Sequence, residues 1–176
     1  GQLYAYGTIM ALLVSLKSIH WKYRGKQIIF RIYGANMHFD IDSPCYMEYR
    51  GWVPQEELLL QLEDADLLYC PYRFDTDFEE TARLSFPGKL STYMNTGVPI
   101  LVHSPHFSGI ADFVKSRNVG YVLESLELDD IVKTIQQIFD DPDRFKVAQK
   151  AARVLEEELS LSAMRKNFYH ALGISS

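Results

Sequence analysis

The sequence is short of cysteine, of long apolar runs and of positive charge. Its two cysteines, Cys45 and Cys70, stand far apart, without CxxC or histidine-partner spacing. Neither a disulfide scaffold nor a zinc site is indicated, and a reducing, cytoplasmic setting fits. No apolar stretch approaches the ~20 residues that cross a bilayer, and no basic start with a small-residue cleavage site marks a secretory signal. The formal net charge is −5 and the 18 Lys and Arg residues are scattered. No basic field is therefore present to hold nucleic acid or an anionic bilayer. Internal repeats, low-complexity segments and an evident interdomain linker are also missing. Because the sequence opens at Gly1 rather than at a methionine, we expect a fragment boundary there.

What is present suffices for one domain, since 176 residues with 47% apolar content supply a sizeable core. Apolar residues at near-helical spacing, Ile9, Leu12, Leu13, Leu16 and Ile19, predict a helix from Ile9 to about Tyr23, ended by Arg24-Gly25. Ile28 to Tyr33 is short, β-branched and aromatic, and Gly34-Ala35-Asn36 punctuates it, which predicts an inner strand. A polar loop with Asp40, Asp42 and Pro44 precedes a second strand at Tyr46–Arg50 and the segment Gly51-Trp52-Val53-Pro54. Pro54 stands where a first helical residue would, and Leu58, Leu59, Leu62 and Ala65 share one face of the helix after it. Leu67 to Pro71 is the next strand.

An irregular acidic stretch from Tyr72 to about Leu84 leads to Ser85-Phe86-Pro87-Gly88-Lys89 and a helix-like Leu90 to Asn95, capped by Gly97. Pro99 to Val102 and Tyr121 to Leu123 are strands around a helix-like Ile110 to Lys115. The last third is helical. Ser125 can cap a helix carrying Ile131, Ile135 and Ile138, Asp141-Pro142 starts another, and Ser162 is the candidate cap of the last, with Met164, Phe168 and Leu172 at spacing four. Five nearly continuous apolar strands alternating with helices predict an α/β fold. It is a doubly wound, mostly parallel, Rossmann-like sheet covered on both faces, with a helical C-terminal segment.

In such a sheet ligands bind beyond the carboxyl ends of the strands, so the loops after Tyr33, Val53, Tyr72 and His103 should share one rim. The richest is Arg73 to Thr92, where Ser85-Phe86-Pro87-Gly88 leads into a helix whose first free N–H groups form an anion site. A phosphate or diphosphate is the natural guest. Lys89 adds a point charge to it, although a cation there is mildly unfavourable to the helix dipole. The plainer reading is that Ser85 only caps the helix and Lys89 is solvated. His103 and His106 flank Ser104-Pro105 with no third metal ligand placed beside them, and they read as a solvated loop. Asp75, Asp77, Glu79 and Glu80 lack the glycine-containing spacing of a calcium loop and likewise read as solvated.

The ordered set of segments resembles the C-terminal domain of GT-B glycosyltransferases of the large retaining family often called group 1 or family 4, over almost the whole chain. It comprises Ile32-Tyr33-Gly34, then Tyr49-Arg50-Gly51-Trp52-Val53-Pro54 followed by Glu56-Glu57-Leu58, then Ala65 to Pro71, then Ser85 to Ile100, then Gly120-Tyr121-Val122-Leu123. The resemblance implies half of a GT-B architecture, with the donor site between two Rossmann-like domains and this one holding the nucleoside diphosphate of a sugar donor. It places Trp52 and Val53 beside the base, though Trp52 reads equally as core. It assigns Ser85, Phe86, Pro87, Gly88 and Lys89 to the phosphates and Thr92 to the ribose.

Three departures stand out. Thr92 replaces a Glu, Leu84 stands where the family has another Glu, and Tyr4-Ala5-Tyr6-Gly7 aligns with the end of a first loop, so the first strand and its two cations are missing. The implied protein transfers a sugar in polysaccharide biosynthesis, without a metal or a cofactor besides the donor. Its acceptor sits on an absent N-terminal domain, and peripheral membrane contact belongs to the full-length protein. No residue here is a candidate catalytic base, and the chain alone is expected to be inactive. The runner-up is a non-catalytic Rossmann-like binding or interaction module. An epimerase of the same shape would need a matched acid and base pair, and a phosphoacceptor receiver domain an Asp where Cys70-Pro71 stands.

Overall fold

The apolar spacing at the start of the chain forms helix α1, Tyr6–Ser18, with Ile9, Leu12, Leu13 and Leu16 buried. In the computed structural model, residues 5–34, 39–42, 44–163, 165 and 169 are described. The helix stops before the expected Tyr23, because His20 and Trp21 both adopt left-handed φ (53° and 54°) and turn the indole of Trp21 into the core. Arg24 and Gly25 also have positive φ, and they make the tight turn of a small hairpin, β1 (Lys22–Tyr23) and β2 (Lys26–Gln27), rather than a helix cap.

The predicted inner strand is β3, Phe30–Tyr33, paired in parallel with β4, Met47–Gly51. Both end in glycine with positive φ, Gly34 at 105° and Gly51 at 68°, and the Gly34 N–H donates to the Gly51 carbonyl at 2.7 Å. Only glycine adopts the Gly34 conformation without strain. Pro54 caps α2, Gln55–Glu63, from outside rather than opening it, and Glu56 and Glu57 sit in its first turn, where acidic groups complement the helix dipole.

Next come β5 (Leu68–Pro71), a 3₁₀ turn at Thr76–Phe78, α3 (Glu79–Leu84), α4 (Gly88–Met94), β6 (Ile100–His103), α5 (Gly109–Arg117), β7 (Tyr121–Leu123), α6 (Leu128–Asp140) and α7 (Arg144–Val154), the last running on into a π-helical turn at Leu155–Leu159. The acidic stretch is thus partly helical, not irregular. Ser125 lies two residues before the cap of α6, Glu127, where its Oγ accepts from the Glu127 N–H, and Ser160 rather than Ser162 accepts from the Ala163 N–H. Met164, Phe168 and Leu172 of the expected last helix lie outside the described residues.

Strands β5, β6 and β7 form a parallel sheet with β6 central. Its side chains alternate between two cores. Ile100 and Val102 join Leu68, Cys70, Leu90, Met94, Ile110 and Val114, whereas Leu101 joins Leu13, Ile131, Ile135 and Ile138 on the other face. Each fully buried aliphatic side chain contributes about 1.5–3 kcal/mol from removal of apolar surface from water. Helices therefore cover both faces, as the parallel α/β reading requires. The strands nonetheless divide into a pair, β3-β4, and a triplet, β5-β6-β7, rather than one continuous sheet. A cleft of about 850 Å³ opens between them.

Candidate functional site

Helix α1 marks one end of this cleft. In its first turn the Thr8 hydroxyl donates to the Tyr72 carbonyl, just past the carboxyl end of β5, and the Tyr72 N–H donates to the His103 carbonyl at the end of β6. At the same end the cleft is lined by Tyr33, Pro71, Lys89, Thr92 and Tyr93. The ends of β3 and β5 and the start of α4 thus line one cleft, whereas Val53, expected on the same rim, does not line it.

Of the residues singled out from sequence, Lys89 and Thr92 line this mouth, whereas Trp52, Val53, Ser85, Phe86, Pro87 and Gly88 do not. Lys89 is exposed, and its charge is felt by the buried Cys70 on β5. Burial pushes the Cys70 thiol up to about 11 while Lys89 pulls it down, so at neutral pH this cysteine is a thiol and no nucleophile. Thr92 turns its hydroxyl back to the Gly88 carbonyl at 3.4 Å, and Ser91 donates to the same oxygen at 2.8 Å.

The cap of α4 is Pro87, not Ser85. The Ser85 Oγ is enclosed and has no hydrogen-bond partner among the described residues. The Leu90 N–H bonds to the Pro87 carbonyl at 2.9 Å, and the amides of Gly88 and Lys89 before it are first-turn groups that a helix leaves unpaired. Phe86 packs edge-on against Phe113 with ring centroids 5.1 Å apart, which anchors the loop to α5. Trp52 is 81% exposed, so it is not a core residue, and Leu84 is exposed as well.

Three of the four acidic residues, Asp75, Asp77 and Glu79, are held by arginines. Arg73 reaches Asp75 at 2.8 Å and Asp77 at 3.6 Å, and Arg83 reaches Glu79 at 2.6 Å. Among the described residues no cluster of His, Cys, Asp and Glu suits a metal ion.

His103 corrects the expectation of a solvated loop. It is the last residue of β6, fully buried, with both ring nitrogens bonded: Nε2 lies 2.7 Å from the Ser125 carbonyl and Nδ1 2.8 Å from the Tyr69 hydroxyl. A carbonyl only accepts, so the proton sits on Nε2, and Nδ1 accepts from Tyr69. Burial lowers the His103 pKa to about 4, against a smaller opposing pull from the Ser125 bond, and burial also pushes the Tyr69 phenol well up. This neutral pair joins β5, β6 and the loop after β7 directly beneath the rim. Sequence reasoning missed it, although strand parity carries the signal, since His103 falls on the same face as Leu101.

Residues 12–167 match the family described as glucosyltransferase 3-like, C-terminal domain. The chain belongs to this family. Glucosyltransferase 3 of Streptococcus gordonii is 29% identical over 111 residues, which are 62% of this chain and 31% of that protein. The chain therefore spans about a third of the length of that relative, and at a coarse level it is a C-terminal glycosyltransferase domain. No helix among the described residues is long and apolar enough to cross a membrane.

Proposed function

We propose that this chain is the nucleoside-diphosphate-sugar-binding half of a transferase of GT-B architecture, completed by an N-terminal domain that holds the acceptor. The observation that carries the reading is the convergence of Lys89, Thr92, Tyr93, Tyr33 and Pro71 at the mouth of the cleft, in a chain of glucosyltransferase-like family. Lys89 supplies a charge-assisted contact to the diphosphate, and the first amides of α4 accompany it. Such donors act by stabilising charge on the departing diphosphate. The Thr92 hydroxyl faces the ribose after releasing the Gly88 carbonyl. Trp52, exposed beyond β4, is the candidate platform for the base.

The test is calorimetric titration of the full-length protein with UDP and with GDP. Lys89→Ala is expected to weaken the bound nucleotide about ten- to a hundredfold, the worth of one hydrogen bond to a charged group. Absence of binding at millimolar nucleotide would instead favour a non-catalytic Rossmann-like module.

A further inference from the structure

Helix α5 begins against the end of α3, with no room between the two backbones. A β-carbon built on Gly109, the first residue of α5, would stand 2.5 Å from the Arg83 carbonyl oxygen and 3.4 Å from its carbon. Real β-carbons do not approach a backbone oxygen so closely, so only glycine lets the helices meet here. The carbonyl belongs to the last turn of α3, two residues before Ser85.

The start of α5 is the fixed side of this contact. Ser108 caps the helix, its Oγ accepting from the Ala111 N–H at 3.3 Å and lying 2.8 Å from the Ser104 Oγ, and both serines are fully buried. Ile110 and Ala111 are fully enclosed as well. On the other side Ala82 is buried but Leu84 and Phe86 are exposed. The end of α3 and the loop after it are therefore the part that must yield to a larger residue at 109.

The same face of α5 grips the loop a second time. Gly109, Phe113 and Arg117 follow at spacing four, which aligns them along one side of a helix. The Phe86 ring meets Phe113 edge-on, and the Arg117 guanidinium lies 4.6 Å from the centre of the Phe113 ring. Arg117 is fixed in turn by Glu158 of the π-helical turn, at 2.6 Å. A backbone contact at Gly109 and a ring contact at Phe113 thus bracket residues 83–86, the segment that feeds Gly88 and Lys89.

We propose that the stripe Gly109-Phe113-Arg117 is a positioning track for the loop from Ser85 to Lys89, with Gly109 and Phe113 setting where the first amides of α4 and the Lys89 ammonium stand. What the loop binds rests on the donor reading; what holds it rests on the packing. None of the three residues lines the cleft, so they reach a bound nucleotide only through the loop.

The test compares two alanine variants of the full-length protein. Gly109→Ala pushes on the Arg83 carbonyl, whereas Gly120→Ala pushes on the Ile100 carbonyl at 3.0 Å and on Val114 at 3.3 Å, away from the loop. In calorimetric titration with UDP and GDP, Gly109→Ala is expected to weaken binding at least about tenfold, as a displaced contact group does, and Gly120→Ala to leave it near wild type. Without nucleotide, the amide resonances of Ser85, Phe86, Gly88 and Lys89 move in Gly109→Ala and in Phe113→Leu, which keeps an apolar side chain but no ring. Unweakened binding in Gly109→Ala, or equal weakening by both glycine variants, would overturn the proposal, and so would loop amides that stay in place in Gly109→Ala. If wild type binds neither nucleotide, the donor reading fails, and the loop amides alone then uphold or overturn this inference.

Discussion

Strands β6 and β3 are both four residues long and mainly apolar, yet all of Ile100–His103 is buried while only Ile32 of Phe30–Tyr33 is. The difference lies in the neighbours. Among the described residues, β6 has a parallel partner on each side and helices over both faces, whereas β3 has one partner and borders the cleft. A strand's own residues give it the capacity for burial, and the elements around it decide how much is realised. In this molecule the well-packed triplet is a scaffold, and the looser pair forms the wall of a site.

Truncation should separate the two regions most strongly. Leu101→Ala is expected to cost about 2–5 kcal/mol in urea unfolding, the usual range for a fully enclosed aliphatic residue. Phe30→Ala on the half-buried strand should cost less than half as much. Equal losses would mean that β3 is as tightly held as β6.

Acid should act on the triplet through His103. Its folded pKa of about 4 lies below the ordinary 6.5, so between these values the unfolded chain binds more protons and stability rises with pH. Lowering the pH from 6.5 to 4 is expected to remove roughly 3 kcal/mol at most through this residue, by the worth of one pKa unit. A His103→Gln variant, unable to titrate, should lose that part of the slope. An unchanged slope would place the acid sensitivity elsewhere.

The smallest effect belongs to the surface of the pair. Arg31 bridges Glu48 at 3.2 Å and Asp64 at 3.1 Å, with both partners substantially exposed. Arg31→Met should change the urea midpoint by less than the equivalent of about 1 kcal/mol, and less still in high salt.

The strands were legible to within about two residues because each is a short apolar run bounded by Gly or Pro, as at Tyr33-Gly34, Gly51 and Pro71. The hairpin at Arg24-Gly25 was not, since Arg-Gly reads equally as a helix stop until the left-handed His20-Trp21 pair is seen. Of the residues singled out from sequence, Lys89 and Thr92, which follow a turn into a helix, line the cleft. Tyr33 and Pro71 joined them only through packing across sequence-distant elements. His103 was misread because a histidine at a strand end looks solvated, and its partners Tyr69 and Ser125 come from elsewhere in the chain.

The central claim is that this domain holds a nucleoside diphosphate at the cleft mouth. Amide chemical-shift mapping of the full-length protein during UDP and GDP titration tests it directly. The account predicts the largest shifts at Gly88, Lys89 and Thr92, with Tyr33 also moving and α6 unmoved. Saturable binding that leaves residues 85–92 and Tyr33 unshifted would contradict it.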